Sequence, residues 1–286
     1  MFNELIELYT KGDTNKLSSK LLHSSAWKQH DFTAYGDMQT EKLWLKSLEQ
    51  FGFLTLTKQL AVQGSSYSSI YFELSDNEGK SVSVTCFFEH NNLHIKRLHC
   101  IIDTLGLSKL MDKTAEQIVA QLPAADPLLL SQFDHQLHPQ SYHAMPVDVC
   151  EMPQGINDVV TQWWSIWQDK QFANIENVYQ PKAEINIAGF DSSEGLTALR
   201  TFQLKLHNRM NRSYCQLENI CFDRQQNTVA VQWHVDGDYL DSGEIKRIRI
   251  PVLSLLSIDN NAIIEEQLQV DWLAICKNFN LTHPFV

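Results

Sequence analysis

The sequence predicts an α+β fold that occurs twice along the chain. In each half, apolar residues at helical spacing come first and runs of β-forming residues follow, which is the order of an α+β unit. The segment IKRLHCIID (residues 95–103) recurs 168 residues later as IIEEQLQVD (residues 263–271), with Ile first and Asp last in both. A chain of 286 residues is also long enough for about two domains, each with its own core.

The opening helix of each half carries the clearest repeated pattern. In the second half the apolar residues at helical spacing are Ile156, Val159, Val160, Trp163, Trp164 and Trp167. In the first half they are Phe2, Leu5, Ile6 and Tyr9. A shift of 158 residues places these four on Val160, Trp163, Trp164 and Trp167, and carries Leu17 onto Ile175 and Leu21 onto Tyr179. One register over six positions indicates a duplicated unit.

Each half then continues with a glycine, a second apolar-periodic segment and four β-type runs. The glycines are Gly36 and Gly195, and the periodic segments are residues 43–51 and 196–206. The runs are FLTLTKQLAV, SSIYFEL, SVSVTCFFEH and LHIKRLHCII in the first half, and YCQLENICF, TVAVQWHVDGDY, IKRIRIPVLSLLSI and AIIEEQLQV in the second. Because the offset grows from 158 to 168, we expect about ten added residues in the longer strand hairpin of the second copy.

The connection between the halves is predicted to be helical and then loose. Apolar spacing predicts a helix over Leu107, Leu110, Met111, Thr114, Ile118 and Leu122, which Pro123 ends. A second short helix and a linker follow. The predicted domains are therefore residues 1–106 and 155–286, with residues 107–154 as a helical linker.

Charge and composition exclude several classes of partner. The formal net charge of −11 would repel phosphate backbones and anionic membranes, so neither a nucleic acid nor a membrane is expected as a partner. Glu4 and Glu7 precede the first cation, which makes the start a poor secretory signal and predicts a cytoplasmic location. The six cysteines form no C-x-x-C pair, a pattern typical of reduced core thiols.

The stretch YTKGDTNKLSSKLLHSSAW, a helix begun at Gly36 and a sheet closing on Ile95 and Asp103 resemble the nuclear transport factor 2-like superfamily. Its relatives include SnoaL-like polyketide cyclases and ketosteroid isomerases. In the second copy, which matches better, the corresponding residues are Trp167, Asp169, Ile175, Tyr179, Gly195, Ile263, Glu265 and Asp271. The resemblance covers about residues 2–106 and 156–280.

This resemblance implies two tandem cone-shaped domains, each with N-terminal helices packed on a strongly curved antiparallel sheet. Many members use the cavity inside the cone as a small-molecule pocket. Members commonly dimerise through the outer face of the sheet, so the chain is expected to be a monomer with an internal pseudo-dimer, or a homodimer. The chain departs from the family where a strand tryptophan is common, since His99 and Gln267 occupy those positions, and Arg97 stands at an acidic position.

Strand alternation gives the first candidate catalytic residues. Residues of equal parity share a face, which groups His99 with Asp103 and groups Glu265 and Gln267 with Asp271. If those faces line the cavities, Asp103 with His99 and Asp271 with Glu265 are candidate acid/base pairs, because burial raises the pKa of a carboxyl group. The alternative is that each aspartate caps a turn and that the polar face is solvated.

The remaining candidates are one histidine and a group of ligand-binding residues. His234 shares a strand face with Gln232 and Asp236, and an imidazole there could exchange a proton with a carbonyl compound or simply be structural. The residues predicted to bind a ligand are Trp163, Trp167, Tyr179, Glu265 and Gln267. For the tryptophans the alternative is ordinary core packing.

No metal or cofactor is expected. His135, His138 and His143 fall in a proline-containing linker without an acidic cluster, and no nucleotide-binding or catalytic-triad motif occurs. The sequence thus predicts a protein that binds a small apolar or carbonyl-bearing molecule in one or both domains, with proton-transfer isomerisation, cyclisation or hydration as its chemistry. The alternative is a non-catalytic interaction or structural module whose interiors are filled by its own aromatic side chains.

Overall fold

The computed structural model describes residues 1–30, 32–51, 54–91, 93–114, 117–118, 152–190, 195–279, 281 and 284–285. These residues divide into two compact units, one on each side of the predicted linker, with residues 62–64 grouped with the second. Each unit consists of helices and one sheet, so the predicted α+β fold class is confirmed.

The first unit contains a six-stranded sheet in the order β2-β1-β6-β5-β4-β3. Strands β1 and β6 pair in parallel, whereas β1–β2, β4–β5 and β5–β6 are antiparallel, so the sheet is mixed rather than purely antiparallel. Its elements in chain order are α1 (Phe2–Lys11), α2 (Asn15–Ser18), β1 (Leu21–Gln29), β2 (Phe32–Tyr35), α3 (Gly36–Phe51), β3 (Thr55–Gln63), β4 (Tyr67–Ser75), β5 (Ser81–His90), β6 (Ile95–Ile102) and α4 (Thr104–Met111).

The second unit contains a five-stranded sheet in the order β7-β11-β10-β9-β8. Here β7 and β11 pair in parallel and the remaining pairs are antiparallel. Its elements are α5 (Gln154–Gln168), a 3₁₀ turn (Phe172–Asn174), α6 (Ile175–Val178), β7 (Tyr179–Ile187), α7 (Leu196–Arg209), β8 (Met210–Asp223), β9 (Thr228–Asp241), β10 (Glu244–Asp259), β11 (Ala262–Val270) and α8 (Leu273–Phe279).

The same pairing irregularities occur in both sheets. On β6, Lys96 is an extra residue between the partners of His90 and Glu89, and on β11, Ile264 is an extra residue between the partners of Ile258 and Ser257. In both units the parallel pairing also jumps at this point, by five residues on the first strand against two on the last. A β-bulge is a specific local feature, and its recurrence at matching places supports the predicted duplication.

Aromatic contacts match between the units as well. Tyr9 on α1 lies 5.5 Å from Phe72 on β4, and Trp167 on α5 lies 4.9 Å from Trp233 on β9, measured between ring centroids. The residue offset is 158 for the helix pair, 161 for the strand pair and 168 across the β-bulges. Seven of the ten added residues therefore lie in the β9–β10 hairpin, where the sequence predicted them.

The two glycines predicted at the helix starts have a conformational reason. Gly36 begins α3 with φ +69°, and Gly195 precedes α7 with φ +66°. Residues with a side chain rarely adopt this left-handed region, and a Cβ on Gly36 would lie 3.0 Å from the carbonyl oxygen of His23. Each glycine thus allows the chain to turn from a strand into a helix.

The helix predicted from residue 107 onward is shorter and earlier than expected. Helix α4 begins after Asp103 and ends at Met111, because Asp112 adopts a left-handed conformation with φ 53°. Pro123 and the second predicted helix lie outside the described residues, and the predicted domain boundaries at 106 and 154 remain predictions. Among the described residues, no helix is long and apolar enough to span a membrane.

Candidate functional site

The second unit contains a buried carboxyl group among aromatic side chains. Glu266 on β11 has no exposed surface. The hydroxyl of Tyr179 donates to its Oε2 at 2.5 Å, and the indole Nε1 of Trp163 donates to its Oε1 at 3.2 Å. Strands β7 and β11 and helix α5 therefore meet at this carboxylate, and both of its oxygens are held by neutral donors.

The β-bulge explains why Glu266 rather than Glu265 faces the helix. Alternation along β11 predicts that residues of odd number share a face with Ile263, but the extra residue Ile264 reverses the pattern. Glu266 then lies on the helix side, while Glu265 and Gln267 lie on the opposite face, where the amide of Gln267 donates to Glu265 at 2.8 Å. The prediction that Glu265 and Gln267 share the ligand face with the tryptophans needs this correction.

Burial changes the protonation behaviour of the site. Loss of solvation raises the pKa of Glu266 to about 7, although the bonds from Tyr179 and Trp163 act in the lowering direction. Burial also raises the pKa of Tyr179 well above its usual value, with the nearby Glu266 charge adding to the effect. Tyr179 therefore keeps its proton at neutral pH, whereas Glu266 can gain or release one.

Aromatic rings from α5, α7 and β9 surround this carboxyl group. Trp233 lies 6.1 Å from Trp163 and 4.9 Å from Trp167 between ring centroids, and Trp167 lies 6.2 Å from Phe202. The indole of Trp233 donates to the hydroxyl of Ser254 at 3.0 Å. We call Trp163, Trp167, Trp233 and Phe202 the aromatic cluster. Both predicted helix tryptophans belong to it.

The pKa of Glu266 predicts how stability depends on pH. A carboxyl group whose pKa rises on folding stabilises the native state fully below its unfolded pKa, near 4.5, and the stabilisation is lost as pH increases to about 7. A rise from 4.5 to about 7 corresponds to roughly 3 kcal/mol. Urea denaturation at several pH values should show that the Glu266→Gln variant lacks this loss between pH 5 and 8. Glu265→Gln, on the other face, should keep it. Equal pH dependence in wild type and Glu266→Gln would contradict the buried carboxyl.

Both predicted catalytic aspartates cap helices. Oδ1 of Asp103 accepts from the backbone N–H groups of Leu105 and Gly106 at 3.1 and 2.9 Å, at the start of α4. Oδ1 of Asp271 accepts from the backbone N–H of Leu273 at 3.2 Å, at the start of α8. This is the capping alternative stated above, and short polar side chains suit it because they satisfy free N–H groups.

The proposed acid/base partners are also far apart along their strands. At about 3.3 Å per residue, the four-residue step from His99 to Asp103 spans about 13 Å. The six-residue step from Glu265 to Asp271 spans about 20 Å. Neither separation permits a direct hydrogen bond, so the structure corrects both pairings.

The two predicted catalytic histidines lie away from the aromatic cluster. His99 is buried, and desolvation followed by the nearby Lys28 and His30 lowers its pKa well below the usual value. His234 lies on the opposite face of β9 from Trp233, as the alternation predicted.

A network of charged side chains holds His234. Its Nδ1 is 2.7 Å from Glu218, and its Nε2 is 2.9 Å from Asp236, which in turn pairs with Arg249 at 3.2 Å. These contacts give His234 a structural role in the network, on the face of β9 that does not carry the aromatic cluster.

Metal binding has no support within the part of the chain that the structure describes. No three His, Cys, Asp or Glu side chains there are grouped so that they could hold a metal ion. His135, His138 and His143 lie outside the described residues.

Sequence reasoning missed Glu266, although a signal was present. In IIEEQLQV, Glu266 has the same parity as Leu268 and Val270, so the pattern puts one carboxyl on an otherwise apolar strand face. A charged residue is almost never fully buried unless it has partners, and this position therefore indicated a specific site. The parity assumed from Ile263 hid it.

Comparison with known proteins gives matches among solved structures. No protein-family model matches the sequence, and no curated protein does. A protein assigned as a polyketide cyclase from Bacillus cereus ATCC 10987 is 14% identical, with a TM-score of 0.42 over 48% of this chain and 91% of that one. A protein assigned as a SnoaL-like polyketide cyclase from Shewanella putrefaciens CN-32 is 14% identical, with a TM-score of 0.39 over 46% and 98%.

A third structure, AclR from Streptomyces galilaeus, assigned as a hydroxylase, is 9% identical with a TM-score of 0.38 over 44% of this chain and 84% of that one. Each match spans about half of the chain. The first two names are from the group of proteins that the sequence resemblance indicated. The assigned activities belong to the matched proteins.

Proposed function

We propose that the second domain binds a small apolar carbonyl compound against the aromatic cluster and that Glu266 moves a proton on it. The observation that carries the proposal is a fully buried carboxyl group whose pKa of about 7 lies at the working pH. A general acid/base is most effective when its pKa is near the operating pH. The reaction class is isomerisation, cyclisation or hydration.

The chemistry uses both protonation states of Glu266. The carboxylate takes the proton from the carbon next to the carbonyl group, and the electron pair of that C–H bond forms the enolate. The carboxylic acid then returns the proton to the same or another carbon, which completes exchange or isomerisation. Tyr179 and Trp163 hold the carboxylate in place through their donated hydrogen bonds.

The first domain lacks the corresponding acid. At the offset of 168, the position of Glu266 on β11 corresponds to Leu98 on β6, and Leu98 is part of an apolar core. Ser254, which accepts from Trp233, corresponds to Cys86. We therefore assign the chemistry to the second domain and a structural role to the first.

A second candidate function is a non-catalytic interaction module. The observation that favours it is the close packing of the aromatic rings, with Phe202 5.8 Å from Trp272 and 5.6 Å from Phe190. In that case the contacts of Glu266 serve the fold alone. The cytoplasmic location and the choice between a monomer with an internal pseudo-dimer and a homodimer belong to either proposal.

Proton exchange on a simple ketone separates the two candidates. 2-Tetralone is a planar apolar ketone whose C1 protons exchange through its enol, and NMR in ²H₂O follows their loss. The proposal predicts faster exchange with wild-type protein than with heat-denatured protein, and a melting temperature that rises with tetralone concentration. Neither effect would occur in an interaction module.

A further inference from the structure

A second polar position lies in the interior of the second domain, on α7. Gln203 is 1% exposed, and neither atom of its amide has a hydrogen-bond partner among the described residues. The Nε1 of Trp167 is also buried and has no such partner there. Three buried polar atoms therefore have unused hydrogen-bonding capacity.

These atoms face the same interior as the aromatic cluster. Gln203 belongs to the buried side of α7, together with Ala198, Leu199, Phe202 and Leu206. Its neighbour Phe202 contacts Trp167, and Trp167 contacts Trp233. A continuous path of aromatic rings thus connects the helix carrying Gln203 with Trp163 and Glu266.

A buried amide without a partner weakens the fold. The cost of such a group comes from its lost solvation, whereas an apolar residue of similar size would avoid it. Leucine is such a residue and also favours helices more than most. A glutamine in this place is therefore explained if a bound molecule supplies the missing hydrogen bonds.

The chemistry of the three atoms describes the group they would bind. A glutamine amide offers two N–H donors and one carbonyl acceptor, and an indole offers one donor. A hydroxyl group can accept from the indole or the amide and donate to the amide oxygen. Because both protein groups are neutral, a charged partner would lack compensation in this interior.

We propose that Gln203, with Trp167, is a specificity-determining subsite that recognises a neutral hydroxyl group on the ligand, at a distance from the carbonyl group handled by Glu266. This inference rests on the proposed function and names its substrate class: planar ketones with a second, neutral oxygen function. His207, one helical turn further on α7, is only half-buried and stacks on Phe172 at 4.9 Å, so this end of the site lies nearer to solvent.

A stability measurement without ligand tests the subsite first. Gln203→Leu removes the unused amide and is expected to raise the melting temperature by about 2–4 °C. Gln226→Leu, in an exposed turn, is the control and should leave it unchanged. A lower melting temperature for Gln203→Leu would overturn the proposal, since it would show that the amide already supports the fold.

A pair of probes tests recognition. Wild type is expected to bind 6-hydroxy-2-tetralone about tenfold more tightly than 2-tetralone, and Gln203→Leu should bind the two equally, measured by titration calorimetry. Glu266→Gln should keep the preference, because it changes the other end of the site. Equal binding of both probes to wild type would overturn the subsite and leave the proposed function intact. If neither probe binds wild type, the proposed function and the subsite both fail for this substrate class.

Discussion

Replacing Glu266 by glutamine is expected to lower the rate of 2-tetralone proton exchange at least about 100-fold. Glutamine has nearly the same shape and can still accept from Tyr179 and Trp163, but its amide cannot take up the proton. Binding of the ketone should change only a few-fold, because the aromatic cluster is untouched. NMR in ²H₂O measures the exchange rate, and calorimetry measures the binding.

Asp271→Asn is the matched comparison. Asparagine still offers an oxygen to the backbone N–H of Leu273, so a residue that only caps α8 should leave the exchange rate unchanged. A loss of exchange in Asp271→Asn with full exchange in Glu266→Gln would reverse our assignment and restore the role first predicted for Asp271.

Replacing Trp233 by alanine is expected to lower the free energy of unfolding by about 3–5 kcal/mol. Trp233 is 1% exposed and contacts Trp163, Trp164 and Trp167, so its removal leaves a cavity beside three rings. It also leaves the hydroxyl of Ser254 without the indole donor. Urea denaturation followed by circular dichroism measures the change.

Ile245→Ala is the control for this substitution. Ile245 lies on β10, next to β9, but is 63% exposed, and a surface change of this kind usually alters stability by less than about 0.5 kcal/mol. A loss below about 1 kcal/mol in Trp233→Ala would contradict a packed aromatic cluster.

The sequence predicts the repeated fold well because helical spacing and β-type runs are local signals. The shift of 158 residues that places Tyr9 on Trp167 corresponds to matching ring contacts in the two units. The added residues also lie in the predicted hairpin. These successes depend on residues close in sequence, whose periodicity reflects which face is buried.

The candidate site is less accessible from sequence. A single extra residue, Ile264, exchanges the faces of β11 and so moves the relevant carboxyl from Glu265 to Glu266. Register irregularities depend on the partner strand, and a single sequence does not show them. The capping roles of Asp103 and Asp271 depend on helices that begin directly after their strands, and α4 had been predicted to start later.

The most direct test of the central claim is the titration of Glu266 itself. With ¹³C-labelled glutamate, the side-chain carboxyl signal that disappears in Glu266→Gln identifies the residue, and its chemical shift against pH gives the pKa. We predict a midpoint near pH 7. A midpoint near 4.5, the ordinary value for glutamate, would show a solvated carboxylate and contradict its proposed role in proton transfer.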